Sequence, residues 1–398
     1  MPSLLYLCHR IPYPPNKGDK IRSFHWLKGL SESFDIYLAA FVDDEEDWQY
    51  VEKLKGYCAD CHIVQLDPAM AKVKSLTGLI KGQPLTLPYY FDVKLQQWVE
   101  HVVNEHDIKN ILVFSSSMAQ YVETVKYSMC NRVIDFVDMD SDKWLQYANS
   151  KSWPMSWVYQ REANQLLKYE QMIAGAFDRS LFVSDAEMNL FQKKCAGIER
   201  QLAYVNNGVD TDYFSPQRHY DNPYDSGLFN VVFTGAMDYW ANVDAVRWFV
   251  EEVFQQLKVS IPSLQFYIVG SKPTKQVMEL QKIKDVFVTG AVDDIRPYIY
   301  HAALAVAPMR IARGIQNKVL EAMAMAKLVI TSPQGYEGLA AEIEKEIIVA
   351  NHGHEWIDII KRYDLSSLSN SVVGDHARIC VVNKYSWQNS VEKLKNYF

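Results

Sequence analysis

The chain has no apolar run that approaches the roughly 18 residues a membrane-spanning helix needs. Its start, MPSLLYLCHRIPYPP, carries a short apolar stretch with no leading basic run and no small-residue cleavage site, so it reads as a first strand rather than a secretory signal. Cysteine is sparse. Six are scattered along the chain, and Cys58 and Cys61 form a lone CxxC with only His62 close by. A structural zinc site wants four ligands, so the thiols read as buried or incidental and the protein as one of a reducing compartment. Three short fingerprints are missing. Without GxGxxG there is no signature of a nicotinamide cofactor. Without GxxxxGK[ST] a P-loop ATPase is disfavoured, and without GxSxG so is a hydrolase built on a nucleophile elbow. Positive charge is not in excess either. A formal net charge of −7 argues against nucleic-acid binding by bulk electrostatics. No low-complexity segment and no repeat of solenoid period appears.

What remains is the composition of an ordinary globular protein, 48% hydrophobic and 22% charged. A length of 398 residues suggests two or three domains, each able to bury a core. Aromatic residues make up 13%, which suits sugar-stacking surfaces and packed cores alike.

Strand and helix patterns alternate along the chain. Apolar runs at 4–8, 35–41, 62–66, 110–114, 132–137 and 180–183 read as strands, with helices at 19–30, from Asp43, and at 69–80, 93–103, 157–176 and from Asp185. After a polar stretch at 220–227 the alternation restarts, with strands at 230–234, 264–269, 286–289, 304–307 and 328–331 and a helix at 242–257. This is the pattern of parallel, doubly wound sheets. Ligands of such sheets lie beyond the C-terminal ends of strands. That rule nominates the loops 9–19, 115–117 and 138–143, where Asp19 is placed to cap the helix that follows.

The most informative stretch is PMRIARGIQNKVLEAMAMA. A buried strand runs into a turn with Arg310, Arg313 and Gly314. A helix follows, with Val319, Leu320, Met323 and Ala324 on its apolar face. Backbone N–H groups and the dipole at such a helix start favour an anion. Lys318 and Glu321 lie three apart, hence on one face. A cation for phosphate and a carboxylate for sugar hydroxyls, one turn apart, suit a nucleotide sugar. An ordinary amphipathic helix with a solvated Lys–Glu pair satisfies the same pattern.

Asp138, Asp140 and Asp142 are spaced by two but lack the glycine and late glutamate of a calcium loop. Their strand-end position fits acceptor binding, with plain capping of the next helix as the alternative. His9 follows the first strand and is read as a contact to substrate or as a structural histidine. Glu162 and Glu170 lie near one face of a long helix, where a solvated face is the usual outcome. The segment 69–81 sets Lys72, Lys74 and Lys81 beside Met70, Val73, Leu76, Leu79 and Ile80, a basic amphipathic pattern suited to a membrane surface.

Several longer motifs run nearly end to end: HRIPYPPNKGDKIRSFHWL, VIDFVDMDSDKWLQYA, VSDAEMNLF, NNGVDTDYF, FTGAMDYWANVDAVRWF and VTGAVDDIRPYIYHAALAVAPMRIARGIQNKVLEAMA. On these the sequence resembles the retaining glycosyltransferases of family 4, and within them the sugar transferases associated with PEP-CTERM/EpsH-type exopolysaccharide loci. The resemblance implies the GT-B fold, α/β, with two Rossmann-like doubly wound domains facing each other across a cleft. The expected division is an acceptor-side domain at 1–205, a nucleotide-sugar domain at 206–385, and a helix at 386–398 that packs back on the first.

The resemblance also implies roles. Glu321 matches the second glutamate of a paired-glutamate motif that binds the nucleotide ribose, Lys318 a diphosphate-facing position, and Gly18 a glycine loop that abuts the donor phosphates. The expected donor set is Gly18, Asp19, Gly235, Arg310, Arg313, Gly314, Gln316, Asn317, Lys318 and Glu321. The acceptor set is His9, Asp138 and Asp140, and Asp138 and Lys318 are the expected catalytic groups. The donor is a co-substrate, and neither a metal nor another cofactor is expected. Two positions depart from the family pattern. Arg313 stands eight positions before Glu321, where the first glutamate belongs, and Ala236 occupies the usual arginine position after the first strand of the second domain. The expected activity is sugar transfer to a saccharide or lipid-linked saccharide, in the cytoplasm and in peripheral contact with the inner membrane, with no nucleic-acid partner. A nucleotide-sugar 2-epimerase of the same fold and a non-catalytic nucleotide-sugar-binding subunit are the alternatives.

Overall fold

The structure is a computed structural model. It describes every residue except Asn16, Lys17, Ala196, Arg313, Leu365 and Ser366, and leaves aside the side chains of Ser150, Asp364 and residues 367–371. The chain divides into two compact units, Met1–Asn206 with Ser390–Phe398, and Asn207–Asn389.

The first unit is built on a seven-stranded sheet: β1 Ser3–Cys8, β2 Asp35–Val42, β3 Asp60–Gln65, β4 Asn110–Phe114, β5 Asn131–Val137, β6 Arg179–Phe182 and β7 Leu202–Tyr204. Its order is β3-β2-β1-β4-β5-β6-β7, with every pairing parallel. The central strands are buried almost throughout, because helices cover both faces of a parallel sheet. Residues Ser390–Phe398 close this unit. Phe398 packs on Phe34 with ring centroids 5.8 Å apart, and Asn131 Nδ2 donates to the Tyr397 carbonyl at 2.7 Å.

The second unit holds six strands: β8 Phe229–Thr234, β9 Leu264–Val269, β10 Val286–Gly290, β11 Leu304–Ala307, β12 Val329–Thr331 and β13 Ile348–Val349. Their order is β10-β9-β8-β11-β12-β13, again all parallel. In both sheets the strand order reverses between the first and fourth strands. That switch point is where a ligand crevice forms in a doubly wound sheet.

Several details differ from expectation. β7 and β13 escaped the sequence pattern because they are three and two residues long and sit at sheet edges. The helix expected at 242–257 is Trp240–Phe249, a π-helical turn Val250–Phe254, and Gln255–Ser260. The segment after Asp43 begins as a 3₁₀ turn, Glu45–Tyr50, and the 69–80 helix is two, Pro68–Ser75 and Thr77–Ile80. The helix is described from Gly18, so Asp19 is its second residue, and its carboxylate faces Arg10 and His9 as well as the Lys20 N–H.

Glu162 and Glu170 overturn the expectation of a solvated face. Both are buried on the helix Met155–Ala176 and each serves the start of another helix. Glu162 accepts from Leu85 N at 2.6 Å, Thr86 N at 3.0 Å and Thr86 Oγ1 at 2.7 Å. Glu170 accepts from Ser141 N at 3.2 Å and pairs with Ser141 Oγ at 2.5 Å. Each supplies partners to helix-start N–H groups that have none within their own helix.

Candidate functional site

In the second unit, Gly235 directly follows β8 and Gly270 directly follows β9. The two strand ends approach so closely that a Cβ on Gly270 would stand 1.7 Å from the Gly235 carbonyl oxygen. A Cβ on Gly235 would stand 2.8 Å from Asn242 Nδ2 and 3.3 Å from Lys318 Cε. Close approach of backbone, rather than a dinucleotide fingerprint, is the reason for glycine here.

Lys318 lies in the first turn of the helix Asn317–Ala324, which follows β11. Its Nζ donates to Asn242 Oδ1 at 3.0 Å, and Asn242 Nδ2 donates to the Ala236 carbonyl at 2.8 Å. Buried Asn242 therefore ties the loop after β8 to the helix after β11, across the switch point. The N-cap residue makes no side-chain cap to this helix start. Gln316 at the N-cap sends its amide back to the Gly314 carbonyl at 3.1 Å. Gly314 holds a left-handed φ of 62°, which lets the chain turn into the helix. The N–H groups of the first turn are thus presented to the same space as Lys318.

Lys318 and Glu321 keep partial exposure yet are ringed by protein. Desolvation pulls the Lys318 ammonium down to about 8, with Glu321 opposing. Desolvation pushes the Glu321 carboxyl up to about 7, with Lys318 opposing. Each would lose less by ionising if a ligand brought opposite charge or hydrogen bonds. Arg310, expected among the donor cations, pairs with Asp244. Its Nε donates to Asp244 Oδ2 at 2.8 Å and its second nitrogen pairs with Asp244 Oδ1. Arg313 lies outside the described residues. Asn242 and Asp244 were not singled out in the sequence, because nothing local in GAMDYWANVDA tells that both reach the element after β11.

In the first unit the residues expected on the acceptor side lie beyond the C-terminal ends of β1 and β5. Arg10 spans two carboxylates, donating to Asp43 at 2.7 and 3.0 Å and to Asp19 at 2.8 Å. His9 Nε2 lies 3.6 Å from the same Asp19 oxygen, and its ring stacks on Phe114 at 5.9 Å. Burial alone would raise the Asp19 carboxyl. His9 and Arg10 outweigh it and hold the group well below the usual carboxylate range. Nothing within 4 Å would meet a Cβ on Gly18.

Beyond β5, Lys143 Nζ lies 3.0 Å from Asp138 and 3.2 Å from Asp140. The helix they introduce, Asp140–Ser150, takes no cap from its own N-cap residue, Met139. Glu187 accepts from Met139 N at 3.2 Å and Glu170 from Ser141 N. Asp138 and Asp140 are therefore not spent on capping. Asp142 turns away to Lys194 at 3.3 Å. Two non-glycine residues hold left-handed φ at these strand ends, Ser115 at 79° and Val137 at 66°. Backbone strain of this kind concentrates at functional sites.

Residues 229–363 match the family model described as Glycosyl transferases group 1. An uncharacterized 44.6 kDa protein in the cps region of Klebsiella pneumoniae is 21% identical over 367 residues, covering 88% of each chain. Among solved structures, Anabaena Alr3699/HepE in complex with UDP superposes with a TM-score of 0.68 at 13% identity, over 99% of this chain and 98% of that one. A glycosyltransferase from Rickettsia africae gives 0.67 at 13% identity over 100% and 98%. WaaG, a glycosyltransferase involved in lipopolysaccharide biosynthesis, gives 0.64 at 13% identity over 98% of both chains. The fold is GT-B, and the second unit carries the Glycosyl transferases group 1 match.

Proposed function

We propose that this protein is a retaining glycosyltransferase that moves a sugar from a nucleotide-diphosphate donor to a saccharide or lipid-linked saccharide, in building a surface or exopolysaccharide. The observation that carries the reading is the start of the Asn317–Ala324 helix, which its N-cap residue leaves uncapped, with Lys318 beside it, tied by Asn242 to the loop after β8. As the glycosidic bond breaks, negative charge grows on the leaving diphosphate. Preorganised N–H groups and a desolvated lysine stabilise that charge without a metal ion. Glu321, one turn on, takes the ribose hydroxyls, with Gly314, Gln316 and Asn317 lining the phosphate path. His9, Asp138 and Asp140 hold acceptor hydroxyls, and Asp138 stands nearest the reacting one.

HepE binds UDP and UDP-glucose and the Klebsiella relative belongs to a cps region, which supports a nucleotide-sugar donor and a polysaccharide product. The motif resemblance supports an exopolysaccharide locus of the PEP-CTERM/EpsH type, at the cytoplasmic face of the membrane. A thermal-shift screen over nucleotide sugars, followed by product analysis with saccharide acceptors and EDTA present, tests the reading. Stabilisation by one donor class and transfer with unchanged anomeric configuration are expected. Conversion of the donor without an acceptor, or binding with no turnover on any acceptor, would replace it by an epimerase or a binding subunit.

A further inference from the structure

The two helices that follow β3, Pro68–Ser75 and Thr77–Ile80, are packed inside out. Their small residues Ala71, Ser75 and Gly78 are buried. Their large apolar residues face solvent: Met70 is 66% exposed, Val73 64%, Leu76 53% and Ile80 90%. A Cβ on Gly78 would stand 2.9 Å from the Pro84 carbonyl oxygen, so the inward face has no room for anything larger. The apolar face is therefore not a core face that lost its partner. It is turned outward by the packing itself.

A second patch adjoins it. Arg161, on the helix Met155–Ala176, donates to the carbonyls of Gly78 at 2.9 Å and Gln83 at 3.1 Å. Trp157, one turn earlier on that helix, is 58% exposed, and Trp153, just before it, is 80% exposed. Tryptophan with an apolar neighbour on one side and water on the other is the side chain of a lipid–water boundary.

Charge follows the same two segments. From Pro68 to Phe91 there is no Asp or Glu, and three lysines, Lys72, Lys74 and Lys81. From Lys143 to Arg161 there is again no acid. Lys74 reaches the Phe91 carbonyl, while Lys72, Lys81 and Lys151 are exposed. A chain of net charge −7 has thus cleared acid from the two stretches that expose its apolar side chains. No helix among the described residues is long and apolar enough to cross a membrane.

We propose that this face of the first unit seats on an anionic phospholipid surface. Ile80, Leu76, Val73, Met70 and Trp153 enter the headgroup boundary, and Lys72, Lys81 and Lys151 pair with lipid phosphates. The inference stands on these residues and is independent of the transferase reading.

Sedimentation of the full chain with vesicles tests it, comparing phosphatidylcholine alone with a mixture containing phosphatidylglycerol, at low and high salt. Retention is expected on the anionic vesicles, weakening with salt. Ile80→Asp is expected to lower partitioning roughly tenfold, since an apolar side chain's burial is lost. Lys72→Glu and Lys81→Glu should each lower it roughly fivefold. All three positions are exposed, so unchanged circular dichroism and melting should accompany the loss. Trp153→Phe should remove part of the fluorescence quenching by brominated lipid. No retention on anionic vesicles at low salt overturns the proposal. So does retention that Ile80→Asp leaves intact. If light scattering shows a dimer that Ile80→Asp dissociates, the face belongs to a second copy and the lipid is the wrong occupant.

Discussion

The two units share a strand order but treat charge at their strand ends in opposite ways. In the first unit every charged group of the site has its counter-charge built in. Arg10 lies between Asp19 and Asp43, Lys143 between Asp138 and Asp140, and Lys20 against Asp47 at 2.5 Å. In the second unit Lys318 meets a neutral amide oxygen, the Glu321 carboxylate is one helical turn away, and the N-cap residue beside it makes no side-chain cap. Arg310 with Asp244 is the second unit's one counterexample among the described residues of this cluster. A site whose charges are already matched suits neutral hydroxyls. A site with desolvated charge and unspent N–H groups is waiting for an anion. The difference supports giving the acceptor to the first unit and the donor to the second.

The comparison breaks most visibly by removing a matched partner. Asp135 is fully buried and accepts from Arg22 at 2.7 and 3.2 Å, Trp26 Nε1 at 2.7 Å and Val137 N at 3.1 Å. Asp135→Ala strands a buried guanidinium and should cost roughly 3–5 kcal/mol of stability in urea unfolding. A loss under about 1 kcal/mol would show that this network is not what holds the strand ends together.

Next in size is Lys318→Ala, where stability and activity should part company. A lysine that burial already penalises is a poor contributor to folding, so the melting temperature should hardly move. Turnover should fall by roughly 2–4 kcal/mol in barrier, the usual scale for removing one such stabiliser. Glu321→Gln should instead raise KM more than it lowers kcat, because ribose hydroxyls gain no charge in the transition state. Wild-type turnover of Lys318→Ala at saturating donor would send this helix back to being an ordinary amphipathic one.

A third test sharpens a mismatch in the first unit. Burial, with Asp140 adding to it, pushes the Glu170 carboxyl up from 4.5 to about 8, against its bonds to Ser141. The folded state then holds a proton that the unfolded chain releases near 4.5. Stability should fall as pH rises from there to about 8 and level off above. Glu170→Gln keeps the shape without the charge, so its gain over wild type should grow across that window by up to about 1.4 kcal/mol per pH unit. Urea titrations at several pH values measure it, and parallel curves for the two proteins would refute it.

The smallest effect is a proton count. Near pH 8 Lys318 is part neutral, and a bound diphosphate should restore its charge. Calorimetric titration with UDP in buffers of different ionisation enthalpy should show uptake of up to about one proton per site, absent in Lys318→Met. Equal apparent enthalpies in all buffers would count against the assignment.

How far the sequence could be read follows from the range of each interaction. β4, β9 and β11 fall where the apolar runs place them, because a strand buried on both faces writes itself as a continuous stretch such as NILVF or LAVA. β7 and β13 are edge pieces with little apolar content to betray them. Lys318 and Glu321 share a face because helical spacing alone dictates it. Asn242 reaching Lys318 and Asp244 reaching Arg310 are contacts across 76 and 66 positions, which no local period records. Glu162 and Glu170 show the same limit from the other side. Periodicity put both on one helix face, but only the folded chain brings helix starts at Thr86 and Ser141 to meet them.

Those two glutamates have a further consequence. They stand eight positions apart on one helix, so the two helix starts they hold are spaced by roughly 12 Å of rigid rod. One start, at Thr86, follows the segment that bears the exposed apolar face, and the other, at Ser141, follows Asp138 and Asp140. The helix is in effect a ruler. If that face seats on lipid and Asp138 and Asp140 hold the acceptor, as proposed, the spacing between the two is written as a residue count between two buried acids. A sugar tethered to lipid would be chosen by the length of its stalk before any hydroxyl is read.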